Sequence, residues 1–382
     1  MNKINKNKLE HNVTLRIEKD IRENKVSGAN VYVSQNGETL LNCSLGYKTV
    51  GKKEFLTEDC IFRLASMTKP IIAFAVLKLI ESGKLDLFDT VDTYIKGFNN
   101  FSIGTVGGNG EIITGNKAKN EIRILNLLTH TSGLGSGAVW GEQASKMTEN
   151  DKKDLCSAVE YYKSSLLEFE PYCGNSYSGI AAFDVLAIIV EIVSGKSIEE
   201  FLREELFKPL EMRDTTFFPT DRQWERVVDM HGFVNGESVA VNMGRHIFED
   251  FPLTYTCGGA GLVSTIGDYK NFAETLLNGG EYKGKRVLSE SLVRSMRIPH
   301  IFEQYAGLNE TWGLGCRVVL DNNPNGLPKG CFGWSGAYGT HFWIDPVNNV
   351  VAVYMKNSFY DGGSGAITAS NFEKDVMNSF QS

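Results

Sequence analysis

Phe62-Arg63-Leu64-Ala65-Ser66-Met67-Thr68-Lys69-Pro70, followed by the apolar run Ile71 to Ile80, is the stretch on which the reading of this 382-residue chain turns. The run predicts a helix over Pro70 to Ser82 with Ser66 at its start. Proline suits a first turn, where its missing N–H would have no partner in any case. Ser66 and Lys69 are three residues apart and therefore share one helix face. A serine hydroxyl is a poor nucleophile until a neighbouring base takes its proton. A lysine can be that base if burial and the positive end of the helix lower its proton affinity towards neutrality. The same helix end offers backbone N–H groups to a developing oxyanion. The competing reading is purely local, with Ser66 as an N-cap and Lys69 as a solvated first-turn residue. Ser66 is nonetheless the only serine in the chain with a lysine three positions downstream.

Two further segments offer partners. Tyr177 lies in Pro171-Tyr172-Cys173-Gly174-Asn175-Ser176-Tyr177-Ser178-Gly179, directly before an apolar helical stretch. A tyrosine beside a lysine ammonium loses its proton more easily than usual and can relay the proton of the serine. Taken alone, it reads as an aromatic anchor for its loop. Gly333-Trp334-Ser335-Gly336-Ala337-Tyr338-Gly339 leads into a strand. A glycine-rich strand edge lets a substrate backbone approach closely, and the N–H of Ala337 could complete an oxyanion hole. Taken alone, this segment also reads as a bulge at a strand start.

Outward from these residues, Leu9, Val13, Ile17 and Ile21 recur every four positions and predict an amphipathic helix. Ala29 to Ser34 and Thr39 to Leu45 are β-rich runs joined across Asn36-Gly37, a dipeptide suited to a tight hairpin turn. Near the other end, Trp312 to Leu320, His341 to Asp345 and Val350 to Met355 are strand-like, and Ala366 to Phe380 reads as a closing helix. The middle is mainly helical, as in Ile124 to Leu128, Ile180 to Ser194 and Ile198 to Leu206. Asn99 to Asn120 and Phe218 to Cys257 lack clear periodicity and read as long loops, of the functional or mobile kind. The expected fold is α/β: one antiparallel sheet built from both termini and flanked by helices, with an inserted helical lobe. The α/β lobe would take about residues 1–85 and 260–382, the helical lobe about residues 86–259, and a cleft between them would hold a small molecule.

Composition narrows the function classes. The chain is 42% hydrophobic and 22% charged, with a net charge of −7. That balance argues against nucleic acid or an anionic membrane as the main partner. The N-terminus lacks the pattern of a secretory signal, and Ile71 to Ile80 and Val185 to Val190 are too short to cross a bilayer. The seven cysteines are odd in number and never spaced C-x-x-C, so neither a disulfide framework nor a zinc site is expected. A reducing cytoplasm fits best. The six histidines form no H-x-x-x-H or H-E-x-x-H pair, so no metal and no cofactor are expected. There is no G-x-S-x-G nucleophile elbow, which speaks against a Ser-His-Asp hydrolase.

The motifs also have company. FRLASMTKP occurs with Leu127-Leu128-Thr129-His130-Thr131-Ser132-Gly133-Leu134, Val193-Ser194-Gly195-Lys196-Ser197, Pro209-Leu210-Glu211-Met212 and Gly258-Gly259-Ala260-Gly261-Leu262-Val263-Ser264-Thr265. In this order, over about residues 25–380, they resemble the class C β-lactamase and penicillin-binding-protein-like serine hydrolases. The resemblance implies a serine β-lactamase-like fold with Ser66 as the acylated nucleophile, Lys69 as its proton partner and Tyr177 as the tyrosine of a Y-x-N motif. It places Trp334-Ser335-Gly336 against the substrate, in the position of a K-T-G motif on the sheet's edge strand. The backbone N–H groups of Ser66 and Ala337 become the oxyanion hole, and His130 becomes a structural residue.

Two departures matter. Gly179 stands where many members carry asparagine, and Trp334 where β-lactamases and D,D-peptidases carry a lysine facing the substrate carboxylate. The W-x-G triplet is similar to that of family VIII carboxylesterases, as is the Tyr177-Ser178 loop running into Phe183-Asp184-Val185-Leu186. Trading a cation for an indole favours neutral or apolar acyl groups. The implied function is a carboxylesterase on small esters. A β-lactamase or D,D-peptidase, or a slow-turnover penicillin-binding or sensing module, are the alternatives on the same scaffold. The oligomeric state is left open.

Overall fold

Asn36 and Gly37 both adopt positive φ, 54° and 76°, the conformation that a two-residue hairpin turn demands. In the computed structural model, which describes residues 3–51, 54–234, 237–301 and 309–381, they join the strands Gly28–Gln35 and Glu38–Gly46. This hairpin forms one end of a seven-stranded sheet. Moving inward, Gly28–Gln35 pairs with Val350–Met355, then follow His341–Asp345, Phe332–Ser335, Arg317–Val319 and Glu310–Trp312. Every pairing is antiparallel. The first strand of the chain is thus hydrogen-bonded to the last, with Val31 opposite Tyr354 and Val33 opposite Ala352.

Gly28–Gln35 and Val350–Met355 are buried along their whole length. Both faces of the sheet are covered, so Val350–Met355 is apolar without alternation and even Asn30, Ser34 and Gln35 of the first strand are buried. On one face the helices Lys6–Arg22 and Ile367–Met377 bury Leu9, Val13, Ile17, Phe372 and Val376 against Val31, Val33 and Trp343. On the other, Ile266–Leu277 and the central helix Thr68–Glu81 share a core with Phe342, Ile344 and Val353. Eleven of the fourteen residues of Thr68–Glu81 are buried, so this helix is enclosed on nearly all sides. It packs against Ala181–Ser194 in the middle of the chain.

Three sequence expectations change in detail. Trp312 to Leu320 is two strands and not one, because Gly313 to Cys316 turns the chain back, with Gly315 at φ 72°. The stretches expected as long loops each contain a two-stranded hairpin: Ser102–Val106 with Ile112–Lys117, and Met230–Val234 with Glu237–Val241. Ile112–Lys117 is mostly exposed, so no buried face imposed an apolar alternation that could be read. Last, the Trp334-Ser335-Gly336 strand is the third from the sheet's end and not its edge. Its neighbour Arg317–Val319 pairs only with Phe332 and Gly333, however. Trp334 and the residues after it run beyond that partner, which leaves a local edge where an edge was expected.

Candidate active site

Ser66 sits in a short 3₁₀ turn, Ala65–Met67, that runs directly into the central helix. Everything around the turn is clamped. Ile61–Arg63 pairs with Val263–Thr265. The Asn357 side chain brackets Arg63, accepting its N–H at 3.0 Å and donating to its carbonyl at 3.1 Å. Thr340 donates to the Leu64 carbonyl at 2.9 Å and Tyr269 to the Met67 carbonyl at 2.9 Å. Ala65, immediately before the serine, holds a left-handed φ of 46°. Such a conformation costs a residue with a Cβ roughly 1–3 kcal/mol and persists only where the surroundings over-determine it.

The local reading of this motif fails on two counts. Ser66 caps nothing: the helix begins without a side-chain cap. Lys69 is not solvated but only 1% exposed. Its Nζ lies 3.2 Å from Ser66 Oγ, 2.6 Å from the Gly179 carbonyl and 2.9 Å from the Gly259 carbonyl. Burial lowers its pKa from the usual 10.5 to about 7.

Tyr177 is brought to the same point. Its hydroxyl is hydrogen-bonded to the Ser66 side chain, and its ring lies 4.9 Å from Lys69 Nζ. The loop that carries it is pinned to the His130 turn: Ser176 N–H donates to the His130 carbonyl at 3.1 Å and Ser178 N–H to His130 Nδ1 at 3.1 Å. That bond keeps the imidazole neutral, and burial drives its pKa well down. His130 therefore acts as a brace. One expectation is overturned: burial pushes the Tyr177 phenol up, not down. The lysine beside it, lowered to about 7 by burial, carries only part of its charge near neutrality and does not hold a phenolate at rest.

Trp334 is 2% exposed and donates its indole N–H to Tyr177 Oη at 3.3 Å. Trp312 completes the group, stacked parallel to Tyr177 at 5.9 Å and tilted against Trp334 at 4.6 Å. Ser335 points the other way. Its hydroxyl meets His341 Nδ1 at 2.7 Å, buried beneath the sheet, so the side chain expected to face a substrate does not. Gly336 lies against the nucleophile segment. A Cβ there would fall 2.2 Å from the Leu64 carbonyl, so only glycine lets this strand end approach. The next residue, Ala337, is exposed, and its backbone N–H donates to no acceptor among the described residues.

Sequence reasoning missed the Gly179 and Gly259 carbonyls, Trp312, Asn357 and Thr340. Main-chain carbonyls leave no side-chain signature. Gly258-Gly259 stood in the quoted motif, but nothing in it indicated a lysine partner.

This is the fold and the site of a serine hydrolase, and the chain belongs to the Beta-lactamase family, whose model matches residues 13–371. Among its relatives, Esterase EstB of Burkholderia gladioli is 29% identical over 374 residues, 91% of this chain and 90% of that protein. Protein Rv1367c of Mycobacterium tuberculosis is 28% identical over 348 residues, 86% of this chain and 85% of that protein. Among solved structures, EstCE1, described as a hydrolase with promiscuous acyltransferase activity, superimposes with a TM-score of 0.80 at 24% identity. It covers 97% of this chain and 99% of its own. Among the described residues no helix is long and apolar enough to cross a membrane.

Proposed function

We propose that the chain is a carboxylesterase for small neutral esters, working through an acyl-enzyme on Ser66. The observation that carries this reading is the environment of Lys69. A neutral amine has two N–H groups and one lone pair. The Gly179 and Gly259 carbonyls take two N–H groups; the third position of Nζ, which as an ammonium donates to Ser66 Oγ, becomes a lone pair aimed at that hydroxyl once the amine is neutral. With a pKa of about 7, a large fraction of the lysine is neutral at physiological pH.

In acylation Ser66 Oγ attacks the ester carbonyl and its proton passes to Lys69. The oxyanion takes the N–H groups of Ser66 and Ala337. Tyr177, protonated at rest, gives its proton to the leaving alkoxide and is recharged from the Lys69 ammonium lying against its ring. The Trp334 N–H steadies the phenolate while it lasts. Water then repeats the sequence in the opposite sense and frees the acid.

Substrate preference follows from the groups around the serine. Tyr177, Trp334, Trp312 and neutral His130 offer no cation to a substrate carboxylate, which supports neutral esters over β-lactams or D-amino-acid peptides. The esterase named among the relatives supports the same choice. None of the seven cysteines forms a disulfide, in keeping with a reducing cytoplasm. Parallel assays with p-nitrophenyl butyrate and nitrocefin test the assignment. The ester should be hydrolysed with the higher kcat/KM, and a clear preference for nitrocefin would make a β-lactamase the better reading.

A further inference from the structure

Among the described residues Lys69 has no counter-ion in contact, but a carboxylate stands on the far side of Gly259. Asp184 opens the helix Ala181–Ser194 and is completely buried. Its Oδ1 accepts the Gly259 N–H at 3.4 Å, and the Gly258 N–H is a further donor. Its Oδ2 accepts the phenol of Tyr162 at 2.9 Å and that of Tyr255. Among the described residues it forms no ion pair with Lys, Arg or His. Gly259 therefore has its N–H on the carboxylate and, on the next peptide unit, its carbonyl on the Lys69 amine. The chain is closely packed on both sides here. A Cβ on Gly258 would lie 2.3 Å from the Phe183 carbonyl, and one on Gly259 2.8 Å from the Gly179 carbonyl.

The titratable groups facing this pair come from every neighbouring element. Tyr162 comes from the helix Leu155–Tyr162, Tyr255 and Cys257 from the chain before Gly258, and Tyr177 and His130 from the loops around Ser66. Burial pushes the phenols and the thiol up and the imidazole down, so all five are neutral at physiological pH. Asp184, raised to about 6, and Lys69 are the two that ionise near neutrality. Four hydrogen-bond donors hold the Asp184 carboxylate in place of a cation, and its charge favours the protonated form of Lys69.

We propose that Asp184 is a positioning residue for Lys69, holding Gly259, whose carbonyl meets the amine, and that its charge sets the pH at which the amine becomes free to take the serine proton. This rests on the reading of Lys69 as the base. With the charge in place, the ammonium formed when Ser66 attacks is stabilised. Without it, the lysine binds a proton more weakly, both at rest and in the transition state.

The test is the pH dependence of kcat/KM on p-nitrophenyl butyrate for wild type, Asp184→Asn, Asp184→Glu, Tyr255→Phe and Lys69→Met. The acidic limb of Asp184→Asn should move to lower pH by about one unit, with a plateau about tenfold lower. Asp184→Glu should restore the limb. Tyr255→Phe keeps the carboxylate but removes one donor to its ionised form, so its limb should move the same way by less. An Asp184→Asn limb superimposed on that of wild type overturns the proposal. If that variant does not fold, an unshifted limb in Tyr255→Phe overturns it instead. Full activity in Lys69→Met, or a wild type without an acidic limb, would instead remove the base reading on which the proposal stands.

Discussion

Two side chains converge on the Ser66 hydroxyl and a third braces one of them, and each has been moved away from its ordinary state by burial. The amine is partly neutral, the phenol firmly protonated and the imidazole of His130 uncharged. The division of labour follows: Lys69 accepts, Tyr177 donates, and His130 holds the loop. Tyr177→Phe removes the donor but keeps the stacked ring on Trp312. Turnover of p-nitrophenyl butyrate should fall by about 10²–10⁴-fold, while the thermal midpoint stays close to that of wild type. A rate within a factor of a few of wild type would assign the proton to another group. At this scale the sequence was legible where the signal is a spacing: Ser66 and Lys69 share a face because three residues separate them. It was illegible where the partner is a carbonyl, as at Gly179 and Gly259. It misled where burial reversed the expected direction, as at Tyr177.

One element decides whether the site can be built. The strand Phe332–Ser335 presents Trp334 to the cleft and Ser335 to the opposite face, as alternation requires. Below it lies a fully buried polar network. Arg317 bridges Glu310 at 2.7 Å and Glu373, His341 Nε2 meets Glu373 at 3.0 Å, and Asn325 donates to Glu373 at 2.6 Å. Arg317→Met would strand two buried carboxylates, at a cost of about 3–5 kcal/mol, measurable by urea unfolding at pH 7. The network also carries a pH signature. Arg317 and His341 hold the Glu373 carboxyl at about 2, against an ordinary 4.5. A carboxyl held low contributes stability that is complete above its unfolded pKa and is lost as pH falls from about 4.5 towards 2. Glu310, raised by burial, works against this. From its residues alone this segment reads as a glycine-rich lead into a strand; only the family resemblance placed it in the sheet. Its place two strands in from the sheet's end could not be read, because Gly313 and Gly315 fold a single apolar run into two short strands.

Across the whole molecule, the sheet is finished only when its last strand, Val350–Met355, is in place. Gly28–Gln35 has no partner on its inner side until Val350–Met355 is in place. A chain ending at residue 346 would lose the strand that joins the N-terminal hairpin to the rest. It should show no cooperative thermal transition and rapid proteolysis, whereas a cooperative melt would refute the claim. This architecture was legible because each terminus carries its own β pattern and turn residues. The hairpin near residues 102–117 was not, since a mostly exposed ribbon leaves no period to detect, nor was that near residues 230–241, where Met230, His231 and Gly232 are buried in succession and give no alternation.

The account depends on an acyl group passing through Ser66. Wild-type protein and Ser66→Ala, each mixed with p-nitrophenyl butyrate and quenched in acid within the first turnover, can be digested and weighed peptide by peptide. The peptide containing Ser66 should gain the mass of one butyryl group in wild type, and no peptide should gain it in the variant. A butyryl group on any other residue, or hydrolysis by Ser66→Ala at the wild-type rate, would contradict the account.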